Sequence, residues 1–273
     1  MLNLILAIAS SALVSLTMRF SETKIRNSQA MLAVNYIMCA ILAWMYTGCR
    51  LAADASTVFL GGINGGLYLA GFLLLQSNIR SNGVVLSSTF IKLGLLVSMV
   101  VSVVFFGERP GLWQWMGFFL AVAAIVLMNF RPGESKAGNM GSLLLLLLAG
   151  GGGDAMSKVF EELGNPAFGD HFLLWTFLAA LVLCVGLCIR NKEKPVKWAV
   201  IFGLLIGIPN FFSAKFLLGA LTEIPAVVVY PVYSVATILT VTVTGILVFH
   251  EKLEKRQWMA LGIILLALVL LNV

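Results

Sequence analysis

The chain has 273 residues, 60% of them hydrophobic and 11% charged. A soluble domain carries about 25% charged residues, so the composition excludes a soluble enzyme, a disordered chain and a nucleic-acid module. The formal charge of +6 comes from basic residues set between apolar runs, where they read as membrane-flanking charge rather than as a nucleic-acid footprint.

A membrane span needs about 20 mostly apolar residues at a rise of 1.5 Å each. The apolar runs predict ten helices, over residues 2–18, 28–47, 56–79, 83–106, 111–130, 140–160, 170–189, 198–221, 225–248 and 256–272. The expected fold is therefore an all-α polytopic membrane protein with ten transmembrane helices. A β-barrel does not fit, because its strands alternate polarity over about ten residues. The first run has no basic leader, and its first charge is Arg19. It reads as helix 1 itself, not as a signal peptide.

An ionisable group inside a span costs about 3 kcal/mol on insertion scales and faces a cavity or a partner. The third predicted helix has none, but it carries Gly61, Asn64, Gly65 and Tyr68 on one face. The glycines let backbones approach, and the amide and phenol add hydrogen-bonding groups. Helix 4 is interrupted by Lys92 alone, about 14 Å from its start. That depth makes Lys92 the first candidate for a substrate contact, the alternative being an ion pair with Asp154.

Helix 6 holds the glycine run Gly150 to Gly153, then Asp154 and Lys158. The two charges stand at i, i+4 with the acid first, the favourable pairing order, and Glu161 continues the face. They read either as a self-neutralised stripe or as a proton or counter-charge relay. The glycines read as tight packing or a bend. Helix 8 contains Gly207, Pro209 and Asn210, a kink that can free carbonyls toward a cavity. Its Lys215 is either a site residue, a partner of Glu223 or a snorkelling cation. Helix 9 carries Tyr230, Tyr233, Ser234, Thr237, Thr240 and Thr244 at helical spacing, with Pro231 beside the first tyrosine. The hydroxyls line a polar seam or bond their own helix.

Residues 106–129 and 249–272 align without a gap at an offset of 143, with nine identities that include Glu108/Glu251 and the Gln-Trp-Met at 114–116 and 257–259. The same offset pairs Leu74 and Leu75 with Leu217 and Leu218, and Val84 and Val85 with Val227 and Val228. The chain reads as two repeats, 1–136 and 137–273, of five helices each. Five is odd, so the second repeat enters the membrane inverted, a 5+5 arrangement that places a site near the midplane. Glu108 and Glu251 read as capping or anchoring groups for the helix that follows each.

Odd-numbered loops contain Arg19, Lys24, Arg26, Arg80, Arg131, Lys136, Arg190, Lys192, Lys194, Lys197, Lys252, Lys255 and Arg256; even-numbered loops contain Arg50 and Arg109. By the positive-inside rule the odd loops face the cytoplasm and both termini are external. Trp113, Trp115, Trp198 and Trp258 sit near helix starts as interfacial anchors. The four cysteines show no CxxC spacing, and no HExxH or Ser-His-Asp pattern occurs. Neither a metal nor a cofactor is expected, and the chain does not read as an enzyme.

Ten helices in a 5+5 repeat, with FFGER at 105–109 and VFHEK at 248–252 closing the fourth and ninth helices, resemble the EamA-like members of the drug/metabolite transporter superfamily. The resemblance spans the chain; His250 stands where the second copy of the motif usually has Gly. It implies a carrier whose helices 1, 3, 4, 6, 8 and 9 surround a central cavity, with 5 and 10 outside. It fixes no substrate. The expectation is a secondary transporter of a small polar metabolite, such as an amino acid or organic acid, working by alternating access in the bacterial cytoplasmic (inner) membrane. The excess of cations within spans points to a carboxylate or phosphate. The candidate substrate contacts are Asn64, Tyr68, Lys92, Asp154, Lys158, Asn210, Lys215, Tyr230 and Tyr233. The expected partners are the lipid bilayer and the substrate, with no nucleic acid, and the protein is a monomer or a homodimer. The alternatives are a flippase for a lipid-linked sugar or amphiphile, an exporter of cationic amines, an intramembrane enzyme and a membrane scaffold.

Overall fold

The computed structural model describes residues 1–22, 24, 29–82, 87, 90–129, 139–193, 196–249 and 254–271. Among them regular structure is helical throughout. The α-helices are α1 (Leu2–Glu22), α2 (Gln29–Tyr46), α3 (Ala55–Asn82), α4 (Leu95–Phe105), α5 (Leu112–Asn129), α6 (Met140–Leu163), α7 (Gly169–Arg190), α8 (Lys197–Leu221), α9 (Ala226–Phe249) and α10 (Lys255–Leu271), with a 3-10 turn at Pro166–Phe168 before α7. Among the described residues six helices are long and apolar enough to cross a membrane: α2, Ala55–Leu75 of α3, α6, Pro166–Arg190, α8 and Ala226–Leu247 of α9. Leu2–Met18, Phe90–Phe105 and Leu112–Leu127 are apolar but shorter. The chain is thus an all-helical, polytopic membrane protein.

The helices gather into two compact units that do not follow the chain halves. One comprises Met1–Leu69 and Val159–Thr222; the other comprises Ala70–Lys158 and Glu223–Val273.

In the first unit α8 packs on both α1 and α2, and α2 packs on α7. Lipid tails are as apolar as leucine, so association inside a bilayer rests on close packing and small residues. Gly203 and Gly207, one turn apart on α8, show this. A Cβ on Gly203 would lie 2.6 Å from Val34 Cβ, and one on Gly207 would lie 2.6 Å from Met38 Cβ, both on α2. Gly61 and Gly65 do the same for α3 on α7, where added Cβ atoms would meet Trp175 Cβ at 2.8 Å and Thr176 O at 2.3 Å.

In the second unit α5 packs along α10, and α9 packs on α4, α5 and α10. The end of α3 joins α6 through Asn78, whose Nδ2 donates to Ser142 O and Oγ at 3.1 and 2.9 Å. Asn82 Oδ1 accepts from the Asn139 N–H at 2.9 Å.

The helix expected over 83–106 is interrupted within its described part. A turn at Leu93–Gly94 precedes α4, with three-residue hydrogen bonds from Leu96 N to Leu93 O (2.9 Å) and from Val97 N to Gly94 O (2.8 Å). The tightened backbone comes into direct contact with α6. A Cβ on Gly151 would stand 2.1 Å from Gly94 O, and one on Gly94 would stand 2.7 Å from Gly151 N. Ser98 Oγ donates to Gly151 O at 3.2 Å across the same contact. At Gly150 and Gly151, then, the glycine run serves close packing.

Candidate functional site

Lys92 lies one residue before that turn and is half-buried. Ile91 beside it packs over Gly150, where an added Cβ would meet Ile91 Cγ1 at 3.1 Å. Lys92 is therefore level with the middle of α6, and Asp154, also half-buried, lies one turn beyond Gly150. The two segments run the same way, Ile91 meeting Gly150 and Phe106 meeting Lys158, so the two backbones are offset by about 4–5 Å along the helix axes at 1.5 Å per residue. Among the described residues the Lys92 ammonium and the Asp154 carboxylate have no ion-pair or hydrogen-bond partner, each other included.

The other two charged candidates, Lys158 and Lys215, are paired, and not as the sequence suggests. Lys158 does not close an i, i+4 pair with Asp154. Its Nζ lies 3.1 Å from Glu108 Oε1, with the side chains 5% and 12% exposed, and stands over the Phe106 ring. Glu108 in turn accepts from the N–H groups of Ala226 and Val227 at 3.0 and 2.9 Å. These are orphan donors at the start of α9, where a carboxylate also meets the positive end of the helix dipole. Glu108 is a capping group as expected, but it caps α9, not the helix that follows it. Glu251, its counterpart, lies outside the described residues. Lys215 pairs with Asp170 in the first turn of α7 rather than with Glu223, and its Nζ sits 4.1 Å from the Tyr46 ring centroid.

The remaining candidates are integrated into helix contacts. Tyr230 is 1% exposed, and its hydroxyl donates to the Asp154 backbone oxygen at 2.7 Å. That bond fixes α9 against the turn of α6 carrying the carboxylate. Tyr233, one turn on, is half-buried on α9. Thr240 and Thr244 bond carbonyls of their own helix at 2.8 Å, while Thr237 Oγ1 is buried with no partner among the described residues.

Asn64 is fully buried in the first unit. Its Nδ2 donates to Thr176 Oγ1 at 3.4 Å, while Oδ1 has no partner among the described residues. Tyr68 stacks on Phe177 with ring centroids 6.3 Å apart. Asn210 Nδ2 donates to Asn35 Oδ1 at 3.2 Å, and Cys39 Sγ donates to Gly207 O at 3.3 Å. This polar node between α2 and α8 includes Asn35, which sequence reading did not single out. A lone Asn within an apolar run was the available signal.

Residues 1–130 and 138–273 each match the profile of the EamA-like transporter family. The chain belongs to the EamA-like transporter family. A protein of Haemophilus influenzae, described as uncharacterized, is 26% identical over 96% of this chain and 94% of its own length. A solved crystal structure of another protein superposes with a TM-score of 0.78 at 14% identity, covering 99% of this chain and 96% of that one. At that identity the likeness establishes the fold alone. As an EamA-like transporter the chain is a membrane carrier, and it leaves Asp154 in span-length α6 and Lys92 in the shorter apolar segment Phe90–Phe105 unmatched among the described residues.

Proposed function

We propose that this EamA-like protein is a secondary transporter moving a small polar metabolite by alternating access between two inverted five-helix repeats, with Lys92 and Asp154 as the charged groups that meet the substrate. The observation that carries the reading is the unequal treatment of the four charged candidates Lys92, Asp154, Lys158 and Lys215. Lys158 and Lys215 have carboxylate partners. Lys92 and Asp154 have none among the described residues, although an unmatched charge at that depth costs about 3 kcal/mol.

The substrate class sharpens accordingly. Counting all four groups leaves an excess of cations and favours an anion. Removing the two paired lysines leaves one cation and one carboxylate whose backbones are offset by about one turn of helix along the axes. A dipolar solute such as a free amino acid, with its carboxylate toward Lys92 and its ammonium toward Asp154, leaves no net charge in the membrane. Tyr233 and Thr237, on the helix that Tyr230 ties to Asp154, supply nearby hydrogen-bonding groups. An exporter of cationic amines is the second reading; it would use Asp154 and not Lys92.

The thirteen-to-two split of basic residues between loops supports external termini, and residence in the bacterial inner membrane is part of the same proposal. A thermal-shift screen of the purified protein against amino acids, organic acids, amines and phosphosugars tests the class. Stabilisation by amino acids, abolished in both Lys92→Ala and Asp154→Asn, is expected. Stabilisation by amines that survives Lys92→Ala selects the second reading.

A further inference from the structure

Two adjoining concavities on the first unit have no role in the transport reading. One, of about 370 Å³, lies where α1 begins, α7 begins and α8 ends; Asn3, Asp170, Lys215 and Thr222 line it. The other, of about 470 Å³, is almost wholly apolar and runs between α1 and α8, past Leu13, Leu205, Ile208 and Phe212. Phe216 lines both, so the charged pocket and the apolar groove adjoin at that side chain.

Three observations define what fits. First, Leu13, Leu205 and Ile208 are 55%, 52% and 41% exposed. Large apolar side chains exposed on helices within a bilayer face acyl chains. Second, the eleven-residue interval from Leu205 to Phe216 on α8 rises about 16–17 Å. That is close to one leaflet of a hydrocarbon core of about 30 Å. Third, the pocket at the end of the groove presents one cation and one carboxylate, Lys215 and Asp170, which are 25% and 34% exposed and so open to exchange with a ligand. A headgroup bearing both a phosphate and an ammonium matches these charges in kind. A purely anionic headgroup places its phosphate beside Asp170 with nothing to offset it.

We propose that this face holds a bilayer phospholipid with a zwitterionic amino-phosphate headgroup, its phosphate at Lys215, its ammonium at Asp170, and one acyl chain along the α1–α8 groove. The site shares no residue with Lys92 or Asp154, and its readout is binding, so its failure leaves the transport reading untouched.

The test uses full-length protein, purified and delipidated, examined by native mass spectrometry with phosphatidylethanolamine, phosphatidylglycerol or water-soluble phosphoethanolamine. Phosphatidylethanolamine is expected to bind at least tenfold more tightly than phosphatidylglycerol, and phosphoethanolamine is expected to show no adduct at the same concentration. Lys215→Met and the groove-filling Leu13→Trp are each expected to weaken lipid binding about tenfold. Leu148→Trp, at an exposed position on α6, is expected to leave it unchanged. Equal binding of the two lipids overturns the headgroup assignment. Adducts of phosphoethanolamine matching those of the lipid, or full binding by folded Leu13→Trp, overturn the acyl-chain assignment.

Discussion

Glu108→Ala is the most informative single perturbation of the scaffold. The carboxylate of Glu108 lies 3.1 Å from a buried ammonium and accepts two backbone N–H groups at the start of α9. Breaking a buried ion pair from one side costs about 3–5 kcal/mol, because the remaining charge loses its counter-ion in a poorly solvated place. The lost cap adds about 1 kcal/mol. For a chain of this size each kcal/mol lowers the melting temperature by about 2–4 °C, so Glu108→Ala is expected to melt at least 8 °C below the wild type. The assay is intrinsic-fluorescence unfolding of the detergent-purified protein. The double variant Glu108→Ala/Lys158→Met separates the two contributions. With the ammonium gone, an apolar side chain occupies its place, and only the cap remains lost. The double variant is therefore expected to recover more than half of the deficit. A double variant that melts at or below Glu108→Ala would refute the claim that the Lys158–Glu108 pairing dominates.

Glycine substitutions separate contact from propensity. Gly151→Ala drives a methyl group toward Gly94 O and is expected to destabilise by 1–3 kcal/mol or more, whereas Gly62→Ala, with open space around it, is expected to stabilise by about 0.5–1 kcal/mol; both are read as melting shifts. Tyr230→Phe removes the hydroxyl that bonds the Asp154 backbone and is expected to cost about 1 kcal/mol or more by the same assay. At the start of α3, hydrogen bonds from the Ser56 and Thr57 hydroxyls hold the Asp54 carboxyl below the usual carboxylate range. A depressed folded-state value means that the contribution is present above the ordinary aspartate pKa and is lost as pH falls through the lowered one. The stability gap between wild type and Asp54→Asn, measured from pH 6 to pH 3, is therefore expected to narrow toward the acid end, and a gap that widens there contradicts the reasoning.

The helical class and the approximate helix positions were legible because a span must be apolar over its whole length, and few charges interrupt these runs. The charges of interest were legible for the same reason: Lys92 stands alone in its run. Their partners were not. Asp154 and Lys158 have the spacing of a helix pair, but such a pair contributes only about 0.2–0.5 kcal/mol. Glu108 offers Lys158 a carboxylate already held by two N–H groups, and nothing local to either residue reveals that they meet. The same holds for Lys215 and Asp170. The turn before α4 was hidden because Leu93–Gly94 reads as one weak position in an apolar helix; what decides it is the approach of Gly151 from another helix. Asn35, Asn78 and Asn82 were overlooked because a lone amide in an apolar run carries no motif. Each becomes informative once its partner is known.

Flux measurements test the central claim most directly. Wild type, Lys92→Ala, Asp154→Asn and Leu148→Trp are reconstituted into liposomes, and uptake of radiolabelled amino acids is followed. Saturable uptake is expected in the wild type and in Leu148→Trp, reduced at least tenfold in Lys92→Ala and Asp154→Asn while both variants melt at or above the wild-type temperature. Undiminished uptake in those two variants contradicts the assignment of Lys92 and Asp154 to the substrate.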